Sequence, residues 1–270
     1  MSSSQNVFEV PDGRLIIRRL RESRIAIGST QIAPSPPSLL SPPQTISLVR
    51  SLLLHLCCPR HRHAYRISSL SIPTSGVTLL PPALDSQRKT LLLDLDETLV
   101  HVTQDPAEKY TFSLLIDIQG QPTTFYISTR PYLDQFLTEI ARFFEVVLFT
   151  AAEKVYADPI TDAIDTKGLI THRLYREHCV NWHGRLVKDL SCLGRSLRKV
   201  VLIDVKTMQD SEENFKFQPT NGVKIKRFQG DPEDSALLDL EPLLDRLKGT
   251  ADVRGVLEKR LKAVVRSPTY

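Results

Sequence analysis

The chain has 270 residues, of which 41% are hydrophobic and 24% charged, and its formal net charge is +4. This hydrophobic content is enough for one domain with a real core, which excludes a chain that is disordered throughout. Aromatic residues make up only 7% and no basic stripe interleaves with them, so we expect no direct binding of nucleic acid. Four cysteines in neither a zinc nor a disulfide pattern favour a reducing compartment.

Residues 1–87 are predicted to form a mostly disordered extension rich in Pro, Ser and Arg. Residues 1–88 hold ten Arg, no Lys and four acidic residues, so the basic character of the chain is concentrated here. Two short apolar stretches within 7–28 indicate either a hairpin or a short helix. Residues 29–45, rich in Pro and Ser, favour disorder or a polyproline-like conformation.

Residues 46–58 form an apolar segment that ends in Cys57 and Cys58. The segment is too short, and too interrupted by Arg50 and His55, to span a bilayer. One hypothesis is an amphipathic helix on a membrane surface, with the two cysteines palmitoylated as a further anchor. The other is a short helix that covers part of the domain, or a disordered apolar stretch.

The first predicted strand of the domain, 89–95, runs into the sequence Asp94-Leu95-Asp96-Glu97-Thr98. Side chains two positions apart leave a strand on the same side, so both carboxylates face one place. There one carboxylate can attack phosphorus while the other protonates the leaving oxygen, and a divalent cation offsets the repulsion from the phosphate. The pattern also occurs by chance, so alone it only suggests phosphoryl transfer.

The rest of the domain shows alternating strand and helix patterns. In chain order we expect a hairpin insertion, a helix that starts at a proline, a central parallel strand, a helix bent or divided by Pro159, two further strands and two amphipathic closing helices. A hairpin turn is expected around Trp182. The predicted ranges are 110–116 with 123–128, 131–142, 144–149, 152–164, 169–175, 199–205, 236–247 and 253–264. This order predicts an α/β domain with a central parallel sheet flanked by helices.

Three polar residues downstream stand at the ends of predicted buried strands or in a loop next to one. Thr150 follows the strand at 144–149, Lys188 lies in a loop, and Asp204 ends an apolar run. Taken singly, each also fits an ordinary role as a helix cap, a surface charge or a turn former. Open parallel sheets bind ligands at the carboxyl ends of their strands, so in this order the residues indicate one shared phosphate site.

The motifs at these positions resemble those of a known family. The sequence Leu-Asp-Leu-Asp-Glu-Thr-Leu-Val-His at 93–101 is followed in fixed order by Arg130-Pro131 and by the residues at 147–151, 156–159, 174–177 and 187–190. On these residues, 88–264 resembles the phosphatase domain of the FCP/SCP-like family, within the haloacid-dehalogenase superfamily. The resemblance is strongest to the small phosphatases of the RNA polymerase II C-terminal domain. It implies a Rossmann-like parallel sheet with a β-hairpin insertion beside the site.

The resemblance also implies roles for named residues. It implies that Asp94 is the nucleophile and Asp96 the general acid and base. It implies that four side chains contact the phosphate and the intermediate, namely Thr98, Thr150, Arg176 and Lys188. The implied cofactor is Mg²⁺, held by Asp94, the main-chain carbonyl of Asp96 and the region of Asp204.

Two features depart from the pattern of the small phosphatases. Val205 stands where many of them have a metal-ligating Asn, and it offers no oxygen to a hard cation. Either Asp204 replaces that ligand or a water does, in which case Mg²⁺ binds more weakly. The stretch 217–223 is similar to a mitochondrial inner-membrane translocase subunit that uses this domain as a binding module, although that subunit has generally lost the Asp pair.

The sequence therefore predicts a Mg²⁺-dependent, aspartate-based protein serine/threonine phosphatase. Its expected substrates are phosphomonoesters on proteins, with the RNA polymerase II C-terminal domain as one candidate. The alternative is a weak or inactive binding module similar to the translocase subunit. We expect an intracellular monomer, nuclear or cytoplasmic and associated with membranes if 46–58 is an anchor, or located at the mitochondrial inner membrane under the alternative. Residues 265–270 are expected to form a short tail.

Overall fold

The computed structural model describes residues 5–9, 15–19, 78–205 and 215–266. Its strands are, in chain order, β1 (Gln5–Glu9), β2 (Leu15–Arg19), β3 (Lys89–Leu93), β4 (Val100–Thr103), β5 (Phe112–Ile118), β6 (Gln121–Thr129), β7 (Phe144–Phe149), β8 (His172–Leu174), β9 (Val180–Trp182), β10 (Arg185–Val187), β11 (Val200–Val205) and β12 (Gly222–Ile225). Its α-helices are α1 (Leu133–Ile140), α2 (Lys154–Ile164), α3 (Glu241–Gly249) and α4 (Val253–Arg266). In these ranges we find no helix with the length and apolar character that a membrane span requires.

A parallel sheet with the order β12-β11-β3-β7-β8 forms the centre of the domain. Its three middle strands are continuous apolar runs, as expected of strands buried on both faces. In β3, Leu93 lies opposite Ile203 of β11 and Leu148 of β7. The three strands therefore end at one edge, and this arrangement confirms the predicted α/β sheet.

Successive side chains of β3 point to opposite faces of the sheet, and a hydrophobic core lies against each face. Leu91 and Leu93 pack into the larger core, which also contains the buried faces of the helices and of the hairpin strands. Leu92 packs into the smaller core with Leu190 and Leu193. Burying one such leucine stabilises a fold by about 1.5–3 kcal/mol. The strand that carries the Asp motif is thus fixed from both sides.

The hairpin insertion, β5 and β6, belongs to a second sheet with the order β2-β1-β5-β6-β4. This sheet is antiparallel throughout. The turn of the hairpin is Gln119-Gly120, and both residues have left-handed backbone, with φ of 55° and 83°. Such two-residue turns match the twist of the strands that they join. The predicted hairpin is confirmed with slightly shifted ends, and of the two hypotheses for 7–28 the paired strands β1 and β2 favour the hairpin.

The helices differ from their predicted ranges for local reasons. Helix α1 begins at Leu133 rather than at Pro131, because Tyr132 has a left-handed backbone with φ of 65°. Pro159 lies inside α2 and does not divide it, since the buried face of the helix holds both halves against the core. Helix α3 begins at Glu241, after a 3₁₀ turn, and Pro242 fits its first turn because the missing N–H would have no partner there.

Two strands, β4 and β12, have no counterpart among the predicted elements. Both have only four residues, which is too short for a clear alternation. Strand β12 also begins with Gly222, where a Cβ atom would lie 2.2 Å from the ring of Phe215. The hairpin expected around Trp182 is confirmed as β9 and β10, with left-handed backbone at His183 and Gly184.

Several predictions concern residues outside the described ranges. These are the disordered segment 29–45, the membrane-surface segment 46–58 and most of the tail 265–270. They stay predictions.

Candidate active site

Asp94 follows directly on β3 at the carboxyl edge of the central sheet. Its backbone N–H donates to the carbonyl of Ile203 at 3.1 Å, which anchors the start of the loop to β11. The Asp94 side chain is buried, and its Oδ2 accepts a hydrogen bond from the hydroxyl of Thr98 at 3.1 Å. Thr98 is itself fully buried. The carboxylate predicted to be the nucleophile therefore has one fixed orientation.

Lys188 joins the carboxylates that follow β3 and end β11. Its Nζ atom lies 2.6 Å from Oδ1 of Asp94 and 2.7 Å from Oδ2 of Asp204, and all three side chains are buried. Burial alone would lower the pKa of Lys188, but Asp204 and Asp94 raise that pKa above its ordinary value. Lys188 therefore stays charged. Burial and the charge of Asp94 in turn raise the pKa of Asp204 above its usual range.

Asp96 lies two residues after Asp94, next to α2. Burial, and then the negative charge of Asp94, raise its pKa to about 7. The hydroxyl of Tyr156 donates to Oδ1 of Asp96 at 2.7 Å and opposes part of this increase in pKa. A carboxyl group with a pKa near neutrality can both donate and accept a proton at neutral pH.

A strained turn directs this part of the loop. Glu97 has left-handed backbone, with φ of 62°, which is uncommon for a residue with a side chain. Its carbonyl accepts from the N–H of Phe228 at 2.8 Å. Its carboxylate bonds His101 and Arg227, each at 2.8 Å. Arg227 and Phe228, which come much later in the chain, thus hold the turn in this conformation.

The buried pair of Arg130 and Asp234, which we call the brace, holds the same loop in place. The Arg130 side chain is fully buried and donates to the Asp234 carboxylate at 2.7 and 3.1 Å. It also donates to the carbonyls of Thr98 at 2.9 Å and Lys226 at 2.7 Å. One buried guanidinium therefore connects the Asp motif, 32 positions before Arg130, to residues 96 and 104 positions after it.

Thr150 directly follows strand β7, and Arg176 lies just after strand β8, which pairs with β7. The Thr150 hydroxyl accepts from the N–H of Ala152 at 3.0 Å, which leaves its proton available to a ligand. Arg176 donates through Nε to the carbonyl of Ala151 at 2.9 Å, whereas its buried Nη2 atom has no hydrogen-bond partner among the described residues. An unpartnered buried donor is costly, and an anionic ligand would satisfy it.

Cys179 lies near all of these charged groups. Burial raises the pKa of its thiol to about 11, and the charges of Lys188, Asp94, Asp204 and Arg176 all act on it. The structure thus brings Asp94, Thr98, Lys188 and Asp204 into one hydrogen-bonded cluster. It places Thr150 and Arg176 beside the cluster and gives them no direct bond to it.

The oxygen atoms that could ligate a metal at this site are compatible with a magnesium ion. Asp94 and Asp204 share a single ammonium, so the cluster keeps an excess of negative charge, and this excess contributes to the raised pKa of Asp204. Together with the main-chain oxygen of Asp96, both carboxylates are hard oxygen ligands, and Mg²⁺ often takes only one or two carboxylates from a protein. Within the described ranges no group of three His, Cys, Asp or Glu side chains could hold a metal. Val205 packs against the larger core, and strand alternation puts it on the face of β11 opposite Asp204.

Sequence reasoning gave no role to Tyr156 or Arg130, although both stand in the matched motifs, nor any to Glu153. Their contacts join segments from 23 to 104 residues apart. No local pattern reveals such contacts. The one available signal was the place of Arg130 and Tyr156 within the matched motifs.

The family model described as NLI interacting factor-like phosphatase matches residues 89–254. A probable C-terminal domain small phosphatase of Dictyostelium discoideum is 44% identical over 171 residues, which cover 63% of this chain and 54% of that protein. Carboxy-terminal domain RNA polymerase II polypeptide A small phosphatase 2 of Mus musculus is 42% identical over 180 residues, which cover 66% and 65%. The chain thus spans less than two thirds of the length of either relative.

CTD nuclear envelope phosphatase 1 of Xenopus laevis is 39% identical over 184 residues, which cover 65% of this chain and 73% of that protein. A solved structure of Fcp1, an essential RNA polymerase II CTD phosphatase, is 22% identical, covers 68% of this chain and 55% of its own, and has a TM-score of 0.44.

The matched region contains the whole site. It begins at the first residue of β3 and extends into α4, beyond the Arg130–Asp234 brace. All the candidate site residues lie inside it, as do the motifs on which the predicted resemblance rests. The chain belongs to the NLI interacting factor-like phosphatase family.

Proposed function

We propose that this protein is a Mg²⁺-dependent, aspartate-based phosphatase that hydrolyses phosphoserine or phosphothreonine on proteins. One observation carries the proposal: a buried Asp94 carboxylate is fixed by Lys188 at 2.6 Å and by Thr98 at 3.1 Å, two residues before an acid whose pKa is raised to about 7. The first group suits a nucleophile and the second a proton donor. Family membership and the names of the relatives agree with this assignment.

In the first step, an oxygen of Asp94 attacks phosphorus. The new bond from Asp94 to phosphorus forms as the bond to the serine or threonine oxygen breaks, and the proton of Asp96 passes to that oxygen. The product is an aspartyl-phosphate and a free hydroxyl group on the substrate. Asp96, now a carboxylate, keeps its hydrogen bond from Tyr156 and so stays in place.

In the second step, water attacks the aspartyl-phosphate. Asp96 removes a proton from the water, the bond between Asp94 and phosphorus breaks, and inorganic phosphate leaves. Lys188, Arg176 and the Thr150 hydroxyl stabilise the charge on the phosphoryl oxygens in both steps. Asp94, Asp204 and the main-chain oxygen of Asp96 would hold Mg²⁺, which when bound supplies further charge neutralisation.

The names of the relatives guide the choice of substrate. All three are named for a C-terminal domain (CTD), one of them also for RNA polymerase II and another for the nuclear envelope. We therefore propose a phosphorylated protein tail as the substrate, with the RNA polymerase II C-terminal domain tested first. A nuclear or cytoplasmic location fits these names better than the mitochondrial alternative.

Removal of magnesium tests the proposal directly. Phosphate release from a phosphoserine peptide by the full chain should disappear in EDTA and return when Mg²⁺ is added in excess, because excess ion restores occupancy. The measurement is inorganic phosphate against time, with peptide binding recorded in parallel. Release that EDTA does not affect would contradict the metal requirement. Tight peptide binding without release at any Mg²⁺ concentration would favour the binding module.

The pKa of Asp96 predicts how the activity depends on pH. Because the protonated acid must donate to the leaving oxygen, release from a phosphoserine peptide should fall as the pH rises through about 7. Release from p-nitrophenyl phosphate should fall less, since its leaving group is a much weaker base and needs little protonation. The measurement is kcat/KM for both substrates across the pH range. Asp96→Asn should widen the gap between the two substrates, and equal losses for both would argue against Asp96 as the acid.

A further inference from the structure

Glu153 forms an ion pair with Arg176, the arginine proposed to contact the phosphate. Its Oε1 atom accepts from Nη1 of Arg176 at 2.7 Å. Arg176 then has Nε on a carbonyl and Nη1 on Glu153, so Nη2 is the donor left for a phosphoryl oxygen. The contact neutralises the arginine before any substrate binds.

Glu153 also lies close in the chain to the tyrosine that contacts Asp96. It directly precedes α2, and its carbonyl accepts from the N–H groups of Tyr156 and Ala157 at 3.1 and 2.9 Å. Tyr156 in turn holds Asp96, the acid at the leaving oxygen. In the proposed reaction the peptide is attached to that oxygen, which would bring the residues that flank the phosphorylated one to the first turn of α2.

The Glu153 carboxylate keeps capacity for a second cation. Its side chain is 36% exposed, against 15% for Arg176. Across the described ranges, Oε2 of Glu153 takes part in no hydrogen bond or ion pair. The adjacent cation, Lys154, is turned away, since its ammonium bonds Asp158 and the Tyr175 hydroxyl. The rim of the site therefore presents a carboxylate oxygen that can accept a second cation at this point.

We infer that Glu153 is a specificity-determining residue that favours phosphopeptides with a Lys or Arg next to the phosphorylated residue. The inference rests on the proposed function and adds a substrate class to it. A basic side chain pairs with the free oxygen of Glu153 at the rim. An acidic side chain is repelled by Glu153 and by the carboxylates behind it.

The test compares three phosphoserine peptides that differ only in flanking residues, which are Lys, Ala or Glu. The full chain in saturating Mg²⁺ should show the highest kcat/KM for the Lys peptide and the lowest for the Glu peptide. Glu153→Gln keeps the hydrogen bond to Arg176 and removes the charge. It should lower the Lys-to-Glu ratio by about threefold to fivefold, the range for one partly exposed charge pair. Glu177→Gln, one residue from Arg176 and exposed, is the matched control and should leave the ratio unchanged.

Three results would overturn the inference. The first is a Lys-to-Glu ratio that Glu153→Gln does not change. The second is an equal loss of kcat/KM for all three peptides, which would mean that Glu153 only supports Arg176. The third is an equal change of the ratio in Glu177→Gln, which would mean a general charge effect. If no peptide releases phosphate, the proposed function fails and the inference with it. That result is distinct from release at an unchanged ratio.

Discussion

Asp94→Asn is expected to abolish phosphate release, by about 10⁴-fold or more, because an amide cannot form the bond to phosphorus. The fold should persist, since Asn has the size of Asp and can still accept from Thr98, and Lys188 keeps its partner Asp204. The measurement is kcat on a phosphoserine peptide, with the melting temperature as the check on folding.

A second measurement on the same variant separates chemistry from binding. Beryllofluoride should mimic the acyl-phosphate on wild-type Asp94 in the presence of Mg²⁺ and should fail to bind Asp94→Asn. Asp96→Asn is the matched control, since it removes the proton donor and keeps the nucleophile. It should lose activity with the peptide and still bind beryllofluoride. Wild-type release from Asp94→Asn would show that another group attacks phosphorus.

The largest effect on stability is expected at the Arg130–Asp234 pair, whose side chains are 0% and 1% exposed. Asp234→Asn leaves a buried guanidinium with too little compensation, and breaking such a pair costs about 3–5 kcal/mol. We expect the free energy of unfolding in urea to fall by this amount. Activity should be lost through the loop that carries Thr98, whose carbonyl the arginine holds.

The pH dependence of unfolding gives a further check on this pair. Burial alone would raise the pKa of Asp234, but the hydrogen bonds and charge of Arg130 lower it below its ordinary value. The pair therefore contributes stability at neutral pH and loses it as the pH falls through the pKa of Asp234 in the folded state. Asp234→Asn should remove that part of the acid sensitivity. A loss below about 1 kcal/mol, the level of an exposed ion pair, would contradict the buried brace.

The sequence predicted those parts of the site that depend on strand periodicity. Asp94, Thr150 and Asp204 each follow or end an apolar run, and parallel strands bring such positions to one edge. Tyr156 and Glu153 could not be assigned in this way, because their partners, Asp96 and Arg176, come from other segments and only packing brings them together.

The same distinction, between local sequence patterns and long-range packing, explains where the predicted elements differ from the structure. Long, buried runs such as 144–149 were predicted with correct ends, because burial on both faces leaves a clear apolar signal. Strands β4 and β12 were missed because four residues carry little periodic signal. The start of α1 depended on the backbone conformation of Tyr132, which its neighbours in the sequence do not dictate.

Arg130 and Asp234 lie 104 positions apart, so the residue that completes the brace is synthesised well after the Asp motif. Asp94 and Asp96 leave the ribosome early, yet the turn that follows them depends on Phe228, and Arg130 finds its partner only when Asp234 has emerged. Because distant pairings form late in folding, a nascent or truncated chain that ends before this segment carries every proposed catalytic residue without the brace for the loop. Competence to handle phosphate is therefore tied to translation of the last quarter of the domain.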